Sequence, residues 1–237
     1  MIRERFFFRQ TIATILADHP AHIAAAKEGI LAARQVLERT IARDPFFQST
    51  LEPYEPDSDD RVIVRMAEAG KKAGVGPMAA VAGAIAWAGV EAMVARGASF
   101  GVIDNGGDIA LVCDRPVRVG VHAGTAPISD RVAFVVPPQT RILGICTSSA
   151  TVGPSISFGV ADAVTVFAHD VALADAWATS VCNRIRVDDI SVFSQLDPTE
   201  VTGVFAVLGH HTERWGALPP LVSATVDEHL ISAGDRL

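Results

Sequence analysis

An α+β fold built on antiparallel strands is predicted by the arrangement of apolar residues. Between His19 and Gly97 they recur mostly at helical spacing. Beyond Gly97, β-branched runs alternate with turn signals, and the runs follow one another in hairpin succession without a helix between each pair. Of 237 residues, 49% are hydrophobic and 20% charged, against roughly 25% charged in an ordinary soluble domain. Such a chain has enough apolar surface for a full core and is not disordered. Its apolar content is mostly Ala, Val and Ile, which predicts close approach between elements.

Residues 3–17 read as one or two strands, with Phe6, Phe8, Ile12 and Ile15 apolar and Arg9, Gln10 and Thr11 between them. His19-Pro20 opens a helix in which Ile23, Ala26, Ile30, Ala33, Leu37 and Ile41 recur at helical spacing up to Asp44-Pro45. A proline-punctuated polar loop, 52–60, precedes a second helix over 62–72. The breaker Gly74-Val-Gly-Pro77 then introduces a small-residue helix over Met78–Ala95, closed by Gly97. Strands are predicted at 99–104, 109–113, 117–122, 131–136, 141–146 and 163–168. A helix over Val171–Asn183 and strands near 201–208 and 221–226 follow. The whole, 1–237, reads as a single domain with a possible internal duplication, about 1–113 and 114–237.

The net charge of −7 and the lack of any Lys/Arg run exclude a nucleic-acid binder. Cys113, Cys146 and Cys182 form no C-x-x-C pair, so neither a zinc ribbon nor a disulfide scaffold is expected. The N-terminal apolar cluster is interrupted by charge after three residues, short of a signal peptide, and a cytoplasmic location is expected. Ala73–Val90 carries no charge over eighteen residues, but its many Ala and Gly predict a buried core helix and no membrane partner.

Four segments carry candidate chemistry. On a helix, Asp175 and Thr179 share one face, so a carboxylate and a hydroxyl can meet a hard cation such as Mg²⁺. The alternative is that Asp175 caps a neighbouring loop through backbone N–H groups, because a buried acid needs a partner. Asp104-Asn105-Gly106-Gly107-Asp108 places two acids around an Asn-Gly turn, a strong hairpin signal that leaves both acids unexplained. Its glycines also let a phosphate or ring approach the backbone. Thr147, Ser148 and Ser149, with Ser155 and Ser157 beyond, suit a loop that hydrogen-bonds a polar ligand, or a self-bonded turn. Gly76 and Met78 open a helix whose first N–H groups attract anions, a property of any helix start.

In order along the chain these segments resemble the ApbE superfamily, best known for Mg²⁺-dependent FAD:protein FMN transferases. The matching pieces are the Gly-rich helix entry, Asp104-Asn-Gly-Gly-Asp-Ile109, Thr147-Ser-Ser149, Val164-Thr-Val166 and Ala174-Asp-Ala-Trp-Ala-Thr179, covering roughly 60–185. The whole chain is similar to one ApbE-like family of cytoplasmic proteins within that superfamily. Its marks are Gly74–Gly83, the Asp-Asn-Gly-Gly-Asp turn and Gly153–Ala163.

The resemblance implies a T-fold-like duplicated architecture with antiparallel sheets backed by helices, and Mg²⁺ ligation by Asp175 and Thr179. It also implies a small-molecule partner of nucleotide or flavin type (FAD or FMN), and a homo-oligomer is expected. The activity it suggests is Mg²⁺-assisted phosphoester or flavin-transfer chemistry; the alternative is a non-catalytic ligand-binding module. Two departures bear on that choice. Ala82-Gly83-Ala-Ile-Ala-Trp87 stands where the transferases carry K-G-x-x-x-D, and Gly153–Gly159 stands in place of their H-x-x-D-P-x-T-G segment. Transfer to a hydroxyl needs a general base; His122 and His169 are the candidates, and nothing in the sequence places either at the site.

Overall fold

The first two strands illustrate how alternation builds this protein. In β1 (Ile2–Phe8) and β2 (Thr11–Ala17) every second residue faces the helices, and the two pair antiparallel across a tight turn in which Arg9 takes a positive φ. The computed structural model describes residues 1–151 and 159–225. The expected segment around Ser155 and Ser157, and the last residue of the strand expected at 221–226, lie outside the described residues.

From β2 the chain enters α1 (Pro20–Arg43), whose buried stripe of Ile23, Ala26, Ile30, Ala33 and Leu37 is the one the spacing predicts. A single turn, α2 (Phe46–Ser49), and the polar loop lead to α3 (Arg61–Ala73). The Asp60 side chain caps it by accepting from Val62 N–H, and Gly74 ends it in the left-handed conformation. The next helix starts later than expected. Pro77–Ala80 forms a 3₁₀ turn, and only from Val81 does α4 (Val81–Ala95) run as an α-helix. Ala80, at φ −114 and ψ 8, breaks the helical path. By length and composition Pro77–Ala95 is apolar enough to cross a membrane; in the fold it packs between α1 and the sheet.

Eight strands make one antiparallel sheet in the order β1-β2-β3-β4-β7-β8-β9-β10: the first hairpin, then β3 (Gly101–Asn105), β4 (Asp108–Cys113), β7 (Gln139–Ser148), β8 (Ala163–Ala168), β9 (Val201–Leu208) and β10 (His211–Gly216). Strand β10 is absent from the sequence expectation. His211-Thr-Glu-Arg-Trp-Gly216 is an exposed edge strand with no apolar alternation, and among the described residues it pairs only with β9, across the Gly209-His210 turn. A second sheet, β11-β6-β5, combines β5 (Val117–Gly120), β6 (Val132–Val136) and β11 (Leu221–Ser223).

Two cores follow from the two faces of the large sheet. On one face α4 and α5 (Val171–Arg184) lie against the strands, with α1 and α3 outside them. Helix α5 is buried on nearly all sides, as its Ala-rich composition demands. On the other face the small sheet closes a second core, centred on Phe134 packed edge-to-face with Phe167 and Phe205 at 5.0 and 5.5 Å.

Asp170 caps α5 by accepting from Leu173 N–H at 2.9 Å, and burial raises its carboxyl above the usual range. A raised folded-state pKa means that stability is lost as pH rises through it. Asp170→Asn keeps a good cap without the buried charge. It is therefore expected to gain stability relative to wild type as pH increases from 4 to 8; a difference independent of pH in thermal melts contradicts this.

Candidate functional site

The hairpin between β3 and β4 turns one residue later than an Asn-Gly turn implies. Gly106 and Gly107 hold the positive φ values, +73 and +103, while Asn105 pairs with Asp108. Asn105 and Asp108 therefore share the helix face of the sheet, whereas Asp104 lies on the other face. The buried Asn105 amide donates to Ala82 O at 3.0 Å, fastening the hairpin to the start of α4. Asp104 accepts from Gly107 N–H at 2.9 Å, which braces the turn.

Asp108 pairs with Cys146 on β7, so these two side chains also face the helices. There they meet α5. The Cys146 thiol lies 3.6 Å from Val171 O, and Asp175 follows one turn along the helix. Asp175 is buried, and one of its oxygens accepts from Gly83 N–H at 2.8 Å. Ala82 N–H also donates to it. These are first-turn donors of α4, so the carboxylate caps a helix start from a different element, where the sequence reading offered a capped loop. The 3₁₀ turn ahead of Val81 orients these donors.

Close approach is obligatory at this junction. A Cβ on Gly83 would lie 2.8 Å from Val171 O and 2.9 Å from Asp175 Cβ, distances that packed backbone does not tolerate. Thr179 is half-buried on the same face of α5 as Asp175.

The carboxyls of Asp108 and Asp175 lie close enough to influence each other. Burial pushes Asp175 up to about 7, against the opposing pull of the N–H groups of Gly83 and Ala82 and of Asp108. Burial, followed by the charges of Asp175 and Asp104, raises Asp108 well above the usual carboxylate range. Asp108 Oδ1 is buried with no hydrogen-bond partner among the described residues. Burial likewise raises the Cys146 thiol, which disfavours the thiolate.

The other expected site residues are placed as follows. Thr147 points to the face opposite Asp108, where its hydroxyl meets that of Thr165 at 2.9 Å. Ser148 is buried on the helix face, and Ser149 accepts from Thr151 N–H in a local turn. Gly76 serves chain packing: its Cβ position is 2.1 Å from Thr50 O, so no phosphate reaches its backbone there. Met78 packs against the helical core. The hairpin, β7 and α5 thus bring Asn105, Asp108, Ser148 and Asp175 to one face, while Asp104 and Thr147 lie on the other.

Sequence reasoning missed Ala82 and Gly83 as donors and Thr165 as the partner of Thr147. The departure from K-G-x-x-x-D at Ala82-Gly83 was the available signal for the first pair. Neither candidate base bonds the acid pair. His169 Nδ1 bonds Ile142 O at 2.9 Å, towards the far end of β7 from Ser148. His122 bonds Asp130 at 3.0 Å in the β5–β6 loop, whose Val121 and Ala123 belong to the opposite core.

Comparison with known proteins sets this geometry in a family. A family model described as AbpE bacteria matches residues 10–209. A UPF0280 protein of Methanoregula boonei is 67% identical over 100% of both chains. The chain belongs to the UPF0280 family of ApbE-like proteins. A UPF0280 protein of Methanosphaerula palustris is 62% identical, covering 99% of each chain. Among solved structures, the apo flavinyl transferase ApbE of Pseudomonas stutzeri aligns with a TM-score of 0.59 at 13% identity, covering 99% of this chain and 98% of that one. The ApbE protein of Thermotoga maritima aligns with a TM-score of 0.55 at 12% identity, covering 90% and 96%. The UPF0280 chain thus has the ApbE fold, as the sequence resemblance implied, with its acid pair where α4, α5 and the β3–β4 hairpin meet.

Proposed function

We propose that this UPF0280 protein binds a flavin-type nucleotide together with Mg²⁺ and acts on its phosphoester or pyrophosphate group. The observation that carries the reading is the placement of Asp175, with Thr179 one turn on, at the junction of α4, α5 and the NGGD hairpin. The fold it shares with ApbE flavin transferases supports the ligand class. A carboxylate and a hydroxyl are hard oxygen donors, and that donor set fits Mg²⁺. When bound, the ion neutralises charge on phosphoryl oxygens. The chain's own residues do the positioning. Ala82 and Gly83 N–H groups hold the carboxylate, Asn105 ties the hairpin to α4, and Gly106-Gly107 leaves the backbone open to a ligand.

A second reading, a binding module without turnover, is favoured by the placement of His122 and His169 away from the acid pair. One experiment separates the two. Purified protein is incubated with FAD and Mg²⁺, following flavin fluorescence, AMP release and covalent FMN. Mg²⁺-dependent binding with AMP release supports transfer or hydrolysis, and binding alone supports the module. No flavin binding with or without Mg²⁺ overturns both.

A further inference from the structure

We infer that Asp108 is a second carboxylate ligand of the Asp175 site, so that the site takes up a hard divalent cation by itself, before any nucleotide arrives. The inference rests on the proposed reading of Asp175 and Thr179 as cation ligands, and it changes that site from one carboxylate to two. The decisive feature is Asp108 Oδ1, buried and without a hydrogen-bond partner among the described residues.

Buried polar atoms are nearly always satisfied, and an orphaned carboxyl oxygen is expensive. A structural role does not remove the cost. Asp175 has a structural task, capping α4 through Gly83 and Ala82. Asp108 meets the Asp175 carboxyl and Thr147 N–H, and its Oδ1 still lacks a hydrogen-bond partner among the described residues. Two acids thus meet beside the apolar helical core, Asp175 buried and Asp108 half-buried, and among the described residues neither forms an ion pair with Lys, Arg or His. A divalent cation between them satisfies the free oxygen and neutralises both carboxylates.

The geometry suits a held ion. Asp108 is fixed by the β4–β7 ladder and Asp175 by α5, both rigid elements, so the donors need little reorganisation. Two carboxylates and the Thr179 hydroxyl are all oxygen donors, which select Mg²⁺ or Mn²⁺ and leave positions for water or a phosphate oxygen. Cys146 is not needed as a ligand, since its thiol hydrogen is directed to Val171 O. With one carboxylate, tight binding would need the charge of a nucleotide phosphate. With two, the protein supplies enough charge alone.

The test is a titration of the full chain, stripped with chelator, by Mn²⁺ without nucleotide, read by the electron paramagnetic resonance of free Mn²⁺. The expected result is one tight ion per chain in wild type, weakened about tenfold or more in Asp108→Asn, the size of loss that follows disruption around a metal site. Absence of Mn²⁺ binding by wild type, or equal binding by Asp108→Asn, overturns the inference. Asp108→Ser serves in the same role if the Asn variant does not fold. A parallel FAD titration at saturating Mn²⁺ keeps the two ideas apart. FAD binding without prior Mn²⁺ uptake defeats this inference and leaves the proposed function standing. Mn²⁺ uptake without FAD binding supports the inference and defeats the flavin reading.

Discussion

Asp175→Ala is expected to lower the melting temperature by several degrees and to abolish Mg²⁺-dependent flavin binding, whereas Asp175→Asn should lose the binding and keep most of the stability. The Ala variant leaves the Gly83 and Ala82 N–H groups without their acceptor at a buried helix start. An unsatisfied buried donor costs about 1–3 kcal/mol, and each kcal/mol shifts melting by about 2–4 °C in a chain of this size. Removing the carboxylate also relieves the burial that raises it to about 7, which offsets part of the loss. Asparagine retains a carbonyl oxygen to accept from Gly83, so its cap persists, but it lacks the charge that a hard cation requires. Calorimetry and flavin titration on both variants check the pair. Unchanged melting of Asp175→Ala would remove the capping role, and intact Mg²⁺-dependent binding by Asp175→Asn would remove the metal role.

Gly83→Ala should act on the same junction through shape. Its added Cβ falls 2.8 Å from Val171 O and 2.9 Å from Asp175 Cβ, and both neighbours belong to the buried helix α5. Neither is the free end of a side chain, so α4 and α5 must separate. Overpacking of this kind costs about 1–3 kcal/mol, against which alanine's helix propensity returns about 1 kcal/mol at most. The expected outcome is a modest fall in melting temperature with a disproportionate loss of cation and flavin affinity, because the displaced atoms are those of Asp175. A variant that melts higher than wild type and binds normally would show that the junction can relax.

Both predictions depend on a residue pair of which the sequence displays only one member as chemistry. Asp175 stands out because an acid in an otherwise apolar helix demands an explanation. Gly83 does not, since glycine in a small-residue helix has many uses, and nothing local shows that α5 lies against it. The Asn105-Gly106-Gly107 turn was recognisable as a hairpin, yet its register was not. Placing the positive φ angles on Gly106 and Gly107 puts Asn105 and Asp108 on the helix face. Moving the turn by one residue would have reversed the faces. Gly76 shows the opposite failure: a glycine next to a helix start suggests a phosphate cradle, and the contact it serves is with the Thr50 backbone.

The sequence by itself determined the α+β class, nearly every helix and strand, the family resemblance and the identity of the two acids. Those features rest on local periodicity and on turn chemistry, which each segment carries within itself. The edge strand β10 escaped because an exposed strand needs no apolar alternation. Tertiary structure alone decided that Asp108 and Asp175, 67 positions apart, come together, that Asp175 caps α4, and that Thr147 and Asp104 face away from them. Strand register and helix packing fix such pairings. They arise from contacts between distant segments and from the cost of burying charge, and no stretch of the chain encodes them alone.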